Sequence, residues 1–310
     1  GQRRHHRAGI PTAYHQTTWC ANEAIAFMRE PRQGPWLLSI NPFDPHPPFD
    51  PPQEYLQMFD PEAMPEPRFT THELQTQQAY AGIDHQTASL VDPDTYDSRG
   101  MIAAYHAQIA LLDHNVGRML DTLCETGQDR NTIVIYTSDH GEMLGDHGLL
   151  WKGCRFYEGA VHVPLIISWP GHFPAGKCTG LVELIDLVPT ILEITGLDLP
   201  HDVEGESLLA LLRQDDERAH HRTAVRCEYH DALDLPNASH ANMLFDGRYK
   251  LVIYHGHEVG ELYDLADDPD EFENLWLDQK TIDTKQRLMR QMLDALMLPT
   301  DPGQPRVGRY

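Results

Sequence analysis

Asp139-His140-Gly141 is the first place in the sequence where side chains could carry chemistry. It follows residues 132–136, a β-branched apolar run that is typical of a buried central strand. In open α/β sheets, ligands collect beyond the carboxyl ends of the strands. A carboxylate and an imidazole at that place could bind a metal ion. An ordinary turn in which Asp139 caps the next segment accounts for the same residues.

Lys152 follows within the segment 145–153, which contains three glycines. Glycine allows unusual backbone angles, so this segment could fold back over the end of the strand. The Lys152 ammonium group would then be a point charge for an anionic substrate. The alternative is a solvated surface lysine, although the neighbouring Trp151 favours a partly buried position.

His46 has prolines on both sides, and they restrict the backbone around it. An imidazole held in this way suits a general acid or a hydrogen-bond donor to a developing oxyanion. Alternatively, the ring packs against Phe43 and Phe49 in an ordinary loop. Asp44 could select the tautomer of the imidazole.

The pattern of apolar residues predicts the elements that must position these groups. Helices are predicted at residues 17–29, 99–126 and 186–195, and strands at residues 36–40, 132–136 and 163–168. Strands that alternate with helices indicate an α/β fold with a mainly parallel sheet flanked by helices. Beyond about residue 215, three strands and a closing helix predict a small antiparallel sheet with one helix: residues 223–229, 242–245, 249–254 and 281–298. We therefore predict two units, residues 1–215 and 216–310.

Composition limits the classes of partner. The 310 residues include 24 Lys and Arg against 47 Asp and Glu, a formal net charge of −23. Such a field repels phosphate groups, so we expect binding neither to nucleic acid nor to a membrane surface. The five cysteines contain no Cys-x-x-Cys pair, which argues against a disulfide framework or a cysteine-rich zinc module. Compartment and oligomeric state are left open.

Four stretches of the chain together resemble one family. Residues 132–171 read TIVIYTSDHGEMLGDHGLLWKGCRFYEGAVHVPLIISWPG and closely resemble the second half of the catalytic domain of type I, formylglycine-dependent sulfatases. Three other stretches agree with the same family: Asp-Pro-His-x-Pro within residues 37–52, Asp-x-x-Pro-Thr within 185–192, and Glu-Leu-Tyr-Asp-Leu within 261–275. The resemblance implies an alkaline-phosphatase-like fold and a sulfuric ester hydrolase, an arylsulfatase in the broad sense.

The resemblance also implies roles for individual residues. In this family a formylglycine attacks sulfur, and a divalent cation, usually Ca²⁺, polarises the sulfate. Asp139 and His140 match two of the metal ligands. His46 and Lys152 match the catalytic residues beside the sulfate and the leaving-group oxygen, and with His147 we predict them to bind the substrate. That substrate would be a small-molecule or saccharide sulfate ester.

The sequence departs from the family pattern in two ways. No cysteine is followed by x-Pro/Ala-x-Arg, the motif in which formylglycine is made, and the strand with the first two Asp ligands has no counterpart. We therefore expect the C-terminal part of a sulfatase, inactive alone, with its formylglycine in a missing N-terminal part. His140 stands where many members have Asn, so Mn²⁺ and Zn²⁺ are compatible with the site besides Ca²⁺.

Two alternatives to the sulfatase hypothesis stay open. A phosphonate monoester or phosphodiester hydrolase of the same superfamily can share the same site residues. A non-catalytic sulfatase-like fragment would account for the absent nucleophile motif. The sequence immediately upstream of Gly1 distinguishes the enzyme from the non-catalytic fragment.

Overall fold

A computed structural model of the chain describes residues 7–83, 90–201, 203–214, 221–231 and 239–298. The α-helices in these ranges are α1 (Gln16–Arg29), α2 (Gln53–Leu56), α3 (Glu73–Thr76), α4 (Ser98–Glu125), α5 (Glu158–Val161), α6 (Leu187–Thr195), α7 (Leu209–Arg213) and α8 (Ile282–Met297). The strands there are β1 (Val134–Thr137), β2 (Leu165–Ser168), β3 (Val225–His230), β4 (His240–Phe245), β5 (Tyr249–Tyr254) and β6 (Gly260–Asp264). None of the helices in these ranges is both long and apolar enough to span a membrane.

The two long N-terminal helices form where the periodicity predicts them. α4 begins after Asp97, whose carboxylate accepts a hydrogen bond from the backbone N–H of Gly100 at 3.0 Å. That contact satisfies one of the free amides of the first turn. α1 packs on α4 through Ala24, Met28 and Leu123. Val134 of β1 packs against the same cluster.

β1 and β2 run antiparallel, with Val134 opposite Ser168 and Thr137 opposite Leu165. No parallel strand pair occurs in the described ranges. The described strands of this part thus form an antiparallel pair where the sequence predicts a mainly parallel sheet, because an apolar β-branched run indicates a strand and not the direction of its neighbour. Residues 36–40 have no regular secondary structure and join no ladder among the described strands. Trp36, Leu38 and Ile40 pack against the cluster formed by α1 and α4.

The small C-terminal sheet is confirmed. Its order is β3-β4-β5-β6, and every neighbouring pair is antiparallel. α8 covers one face, where Leu288 and Met292 pack against Leu244, Leu251 and Leu262. The predicted boundary between residues 215 and 216 lies outside the described residues, so the division into 1–215 and 216–310 stays a prediction.

A buried ion-pair cluster, which we call the Lys250 cluster, joins this sheet to the segment before β2. Lys250 on β5 is fully buried, and its Nζ donates to Glu158 Oε1 at 2.6 Å and to Glu271 Oε1 at 2.8 Å. It also donates to the carbonyl oxygen of Phe156 at 3.0 Å. Burial favours a higher pKa for Glu158, but the Lys250 ammonium group overrides it, and the net pKa of Glu158 lies below its usual value.

Candidate active site

His46 lies in the proline-rich loop between α1 and α2. Its Nδ1 is 2.6 Å from the carbonyl oxygen of Pro47, and its ring lies against Phe43 with centroids 4.5 Å apart. A carbonyl oxygen only accepts hydrogen bonds, so Nδ1 must carry a proton in this contact. In the neutral imidazole this leaves a lone pair on Nε2, which is the nitrogen that faces Lys152.

Asp44 anchors the proline-rich loop to the neighbouring helices and does not orient the His46 ring. Its carboxylate accepts hydrogen bonds from the Thr17 hydroxyl of α1 and from Gln108 Nε2 of α4, the latter at 2.9 Å. Burial raises the pKa of Asp44. The idea that Asp44 selects the tautomer of His46 is wrong, because the Pro47 carbonyl makes that contact.

Asp139 and His140 lie just beyond the C-terminal end of β1. His140 Nδ1 is 2.8 Å from the carbonyl oxygen of Gly141, and its Nε2 is 3.6 Å from Asp139 Oδ2. The carbonyl contact again places the proton on Nδ1 and leaves the Nε2 lone pair available. Adjacent ligands of one divalent cation lie about 3.3–3.7 Å apart when each bond is about 2.3–2.6 Å long. An oxygen and a nitrogen are therefore spaced to bind the same ion.

Gly141 allows this segment to approach the start of α5. Its N–H donates to the carbonyl oxygen of Ala160 at 2.7 Å, and a Cβ at this position would lie 2.0 Å from the carbonyl oxygen of Gly159. Only glycine fits such a contact between two backbones.

Lys152 is brought back to the site by the loop that follows. Its Nζ is 2.5 Å from His46 Nε2, although the two residues are 106 positions apart in the sequence. Because Nε2 has the lone pair, the ammonium group donates this hydrogen bond. The contact brings Lys152 and His46 together, while the roles predicted for the two residues stay predictions.

One open cavity of about 1970 Å³ is lined by all four predicted residues, His46, Asp139, His140 and Lys152. The C-terminal sheet contributes to the same lining through β3 and β4, with Arg226, Tyr229 and Phe245 among its residues. The cavity therefore combines a pair of potential metal ligands, a cation, an imidazole and apolar surface.

His147 is placed elsewhere, which corrects its prediction as a substrate-binding residue. Its side chain is 3% exposed, contacts the Glu73 carboxylate through Nδ1, and stacks on the Tyr157 ring with centroids 3.8 Å apart. His147 does not line the cavity. The buried contact with Glu73, 74 positions away, explains why this histidine is held inside the protein.

The chemistry of the donor set fits part of a divalent-cation site. A carboxylate suits Ca²⁺, and the imidazole is also compatible with Mn²⁺ or Zn²⁺. Among the residues that the structure describes, no group of three or more His, Cys, Asp and Glu side chains could hold a metal. Asp139 and His140 would therefore need further ligands beyond this set.

Glu142 is a residue of the site that the sequence did not single out. Its Oε1 accepts hydrogen bonds from the backbone N–H of Trp151 at 2.5 Å and of Leu144 at 3.3 Å. Burial raises the pKa of Glu142, and these two donors, Lys152 and His140 all act in the opposite direction. Its only sequence signal is its position, three residues after Asp139.

Comparisons with known proteins agree on one family. The sulfatase family model matches residues 5–197, and the model for the C-terminal region of N-sulphoglucosamine sulphohydrolase matches residues 145–297. An arylsulfatase of Clostridium perfringens is 33% identical over 273 residues, which are 86% of this chain and 55% of that protein. A multifunctional alkaline phosphatase superfamily protein of Trinickia caryophylli is 31% identical over 298 residues, covering 86% of this chain and 56% of its own length.

Comparison with solved structures agrees with these sequence comparisons. The solved phosphonate monoester hydrolase of Agrobacterium radiobacter superposes with a TM-score of 0.81 at 28% identity, covering 94% of this chain and 62% of that one. The chain therefore belongs to the sulfatase family, within the alkaline-phosphatase superfamily, and the alkaline-phosphatase-like fold class is confirmed. It spans about half the length of the curated relatives it matches.

Proposed function

We propose that the protein to which this chain belongs is a sulfuric ester hydrolase acting on a small-molecule or saccharide sulfate ester. The observation that carries the proposal is the 2.5 Å contact between Lys152 Nζ and His46 Nε2, in the cavity that Asp139 and His140 also line. The family membership and the arylsulfatase relative support it. In this proposal residues 1–215 are the C-terminal portion of the catalytic domain and residues 216–310 its small C-terminal unit.

Cleavage of a sulfate ester builds negative charge on the bridging oxygen, so groups that face this oxygen lower the barrier. Lys152 has three N–H donors, of which one is directed to His46 Nε2. The other two are available to the sulfate and to the leaving-group oxygen. His46 accepts one N–H of the ammonium group and so orients it, and the proton that the leaving-group oxygen takes comes from Lys152.

Asp139 and His140 would hold a divalent cation; the carboxylate favours Ca²⁺, and the imidazole is also compatible with Mn²⁺ and Zn²⁺. When bound, such a cation supplies Lewis-acid polarisation of a sulfate oxygen. The contact between His140 Nδ1 and the Gly141 carbonyl fixes the ring so that Nε2 points away from the backbone. The nucleophile in this proposal is a formylglycine, the group that the sulfatase family uses, although no Cys or Ser of the 310 residues starts the Cys/Ser-x-Pro/Ala-x-Arg motif in which it is made. It would come from sequence upstream of Gly1.

A phosphonate monoester or phosphodiester hydrolase is the second candidate. The likeness to the Agrobacterium radiobacter hydrolase favours it, since this solved structure shares the fold over most of the chain. Lys152, oriented by His46, would stabilise equally well the alkoxide or phenoxide that leaves a phosphonate monoester.

The test uses the protein with the sequence that precedes Gly1 in its gene, expressed under conditions that permit formylglycine formation. We expect hydrolysis of an aryl sulfate at a kcat/KM above that of a matched phosphonate monoester or phosphodiester. Faster turnover of the phosphonate would favour the second candidate. No turnover of any ester, together with no nucleophile motif upstream of Gly1, would favour the non-catalytic alternative.

We expect the 310-residue chain alone to bind Ca²⁺ only weakly, with a Kd of about 10⁻³ M or higher, because Asp139 and His140 provide too few ligands. Titration calorimetry of the chain measures this. Asp139→Asn should reduce the binding further, whereas Asp113→Asn on the exposed side of α4 is the matched control and should leave it unchanged. Tight, stoichiometric Ca²⁺ binding by the chain alone would contradict the prediction.

His46→Ala should slow the active protein in a way that depends on the leaving group. We expect a loss in kcat of about 10²-fold for weakly acidic phenols and much less for nitrophenols, which need little proton donation. The measurement is kcat for a series of aryl sulfates of different leaving-group acidity. His257→Ala, at an exposed histidine that does not line the cavity, is the control. An equal loss for every ester would limit His46 to substrate binding.

A further inference from the structure

Glu142 touches two unusual backbone positions with a single carboxylate oxygen. Its Oε1 accepts from the N–H of Leu144 and from the N–H of Trp151. Both residues have left-handed backbone angles, with φ of 51° at Leu144 and 65° at Trp151. Such angles are unfavourable for residues with a Cβ, so the surrounding structure has to hold them in place.

These two positions enclose the loop that brings Lys152 to the site. The loop leaves the Asp139-His140 segment at Leu144 and returns at Trp151, directly before Lys152. A backbone bond from Met143 N–H to the Trp151 carbonyl oxygen, at 3.1 Å, closes the same loop. Glu142 therefore joins the potential metal-binding segment to the residue whose backbone determines the direction of the Lys152 side chain.

We infer that Glu142 is a positioning residue, whose carboxylate fixes the Trp151 backbone so that Lys152 Nζ meets His46 Nε2. Its effect on the geometry of this pair is independent of the reaction. Only its kinetic consequence rests on the proposed sulfatase function.

The geometry can be tested on the 310-residue chain without any substrate. Glu142→Leu removes both hydrogen bonds, whereas Glu142→Gln keeps a weaker, neutral acceptor at the same place. We expect amide hydrogen exchange at Trp151 to become about tenfold faster or more in Glu142→Leu and less than this in Glu142→Gln. The ¹⁵N shifts of the His46 ring should also change in Glu142→Leu, because Nε2 loses its donor.

The control variant is Asp186→Asn, which lowers stability through hydrogen bonds that involve no residue of this loop. It should leave the Trp151 exchange and the His46 shifts unchanged under folded conditions. If Glu142→Leu does not fold, Glu142→Gln tests the inference instead. We then expect the Trp151 amide to exchange about threefold faster than in the unmodified chain. Unchanged exchange at Trp151 together with unchanged His46 shifts would overturn the inference.

A double-mutant cycle tests the kinetic consequence in the active protein. Glu142→Gln should lower kcat about tenfold with little change in KM, and should have almost no further effect in a Lys152→Ala background. Equal losses in both backgrounds would show that Glu142 does not act through Lys152. If the unmodified protein hydrolyses no sulfate ester, the proposed function fails, while the exchange and ¹⁵N measurements still decide the role of Glu142.

Discussion

Replacing Lys152 with alanine is expected to lower kcat of the active protein for aryl sulfates by about 10²–10³-fold, the range for one preorganised electrostatic contact in a transition state. The loss should be larger for leaving groups of low acidity, because the charge on the bridging oxygen is then largest. KM should change less than kcat, since the interaction strengthens as the bond breaks. Steady-state kinetics over a series of aryl sulfates measure both effects.

Lys177→Ala is the matched control for this prediction. Lys177 lines the same cavity and is exposed, but no hydrogen bond joins it to His46. Its removal takes one positive charge from the cavity and should change kcat by about twofold or less. Equal losses for Lys152→Ala and Lys177→Ala would mean that Lys152 contributes only to the general field of the cavity.

Asp186→Asn is expected to lower the free energy of unfolding by about 3–5 kcal/mol, because it breaks a buried ion pair on one side. Asp186 is fully buried at the start of α6 and accepts hydrogen bonds from Arg222 Nε and His221 Nε2, both at 3.1 Å. It also accepts from the backbone N–H groups of Glu183 and Glu206, at 2.9 and 2.8 Å. An amide keeps the shape but loses the charge that these donors stabilise.

The free energy of unfolding that Asp186→Asn removes should depend on pH. Burial favours a higher pKa for Asp186, but the hydrogen bonds from Arg222 and the backbone donors override it, so its net pKa lies below the usual value. The carboxylate therefore contributes its full stability above the ordinary carboxyl pKa of about 4, and this contribution disappears as the pH falls through the lower pKa of the folded state. Urea unfolding of the chain should show a large difference between the two proteins at pH 7 and a shrinking one towards pH 3.

Glu125→Gln is the control, because Glu125 forms an ion pair with Arg29 in which both side chains are more than half exposed. Its removal should change the free energy of unfolding by less than about 1 kcal/mol at pH 7. A difference between Asp186→Asn and the unmodified chain that does not vary with pH would rule out the carboxylate as its source.

The parts of the fold that the sequence predicted are those with a strong local signal. α1, α4 and α8 repeat apolar residues at helical spacing, and the confirmed strands β4 and β5 are joined by Asp246-Gly247, a sequence typical of a tight turn. The strand β6 was not predicted. Its charged residue Glu261 is 1% exposed and lies 3.7 Å from the buried Arg155, so the partner that permits this burial is remote in the sequence.

Prediction of the candidate site was limited in the same way, by contacts between residues that are far apart in the sequence. His46 and Lys152 were found from the prolines and glycines around them, and the resemblance to sulfatases then assigned their roles, because both stand in short motifs. His147 also stands in such a motif, but its contact with Glu73 is invisible in the sequence and places it in the interior. Glu142 acts on the backbone of Trp151, and hydrogen bonds to backbone groups leave no pattern of residue types.

The Lys250 cluster has a consequence for how C-terminal halves could be exchanged between members of the family. A chimera joined near residue 215 would take Lys250 and Glu271 from one parent and Glu158 from the other. A parent without the matching charge would leave an ammonium or carboxylate group buried alone, which is far more costly than a mismatch at the surface. The small sheet lines one part of the cavity. It and the segment leading from Lys152 into β2 therefore have to come from the same parent, or from parents with matching charges in the Lys250 cluster.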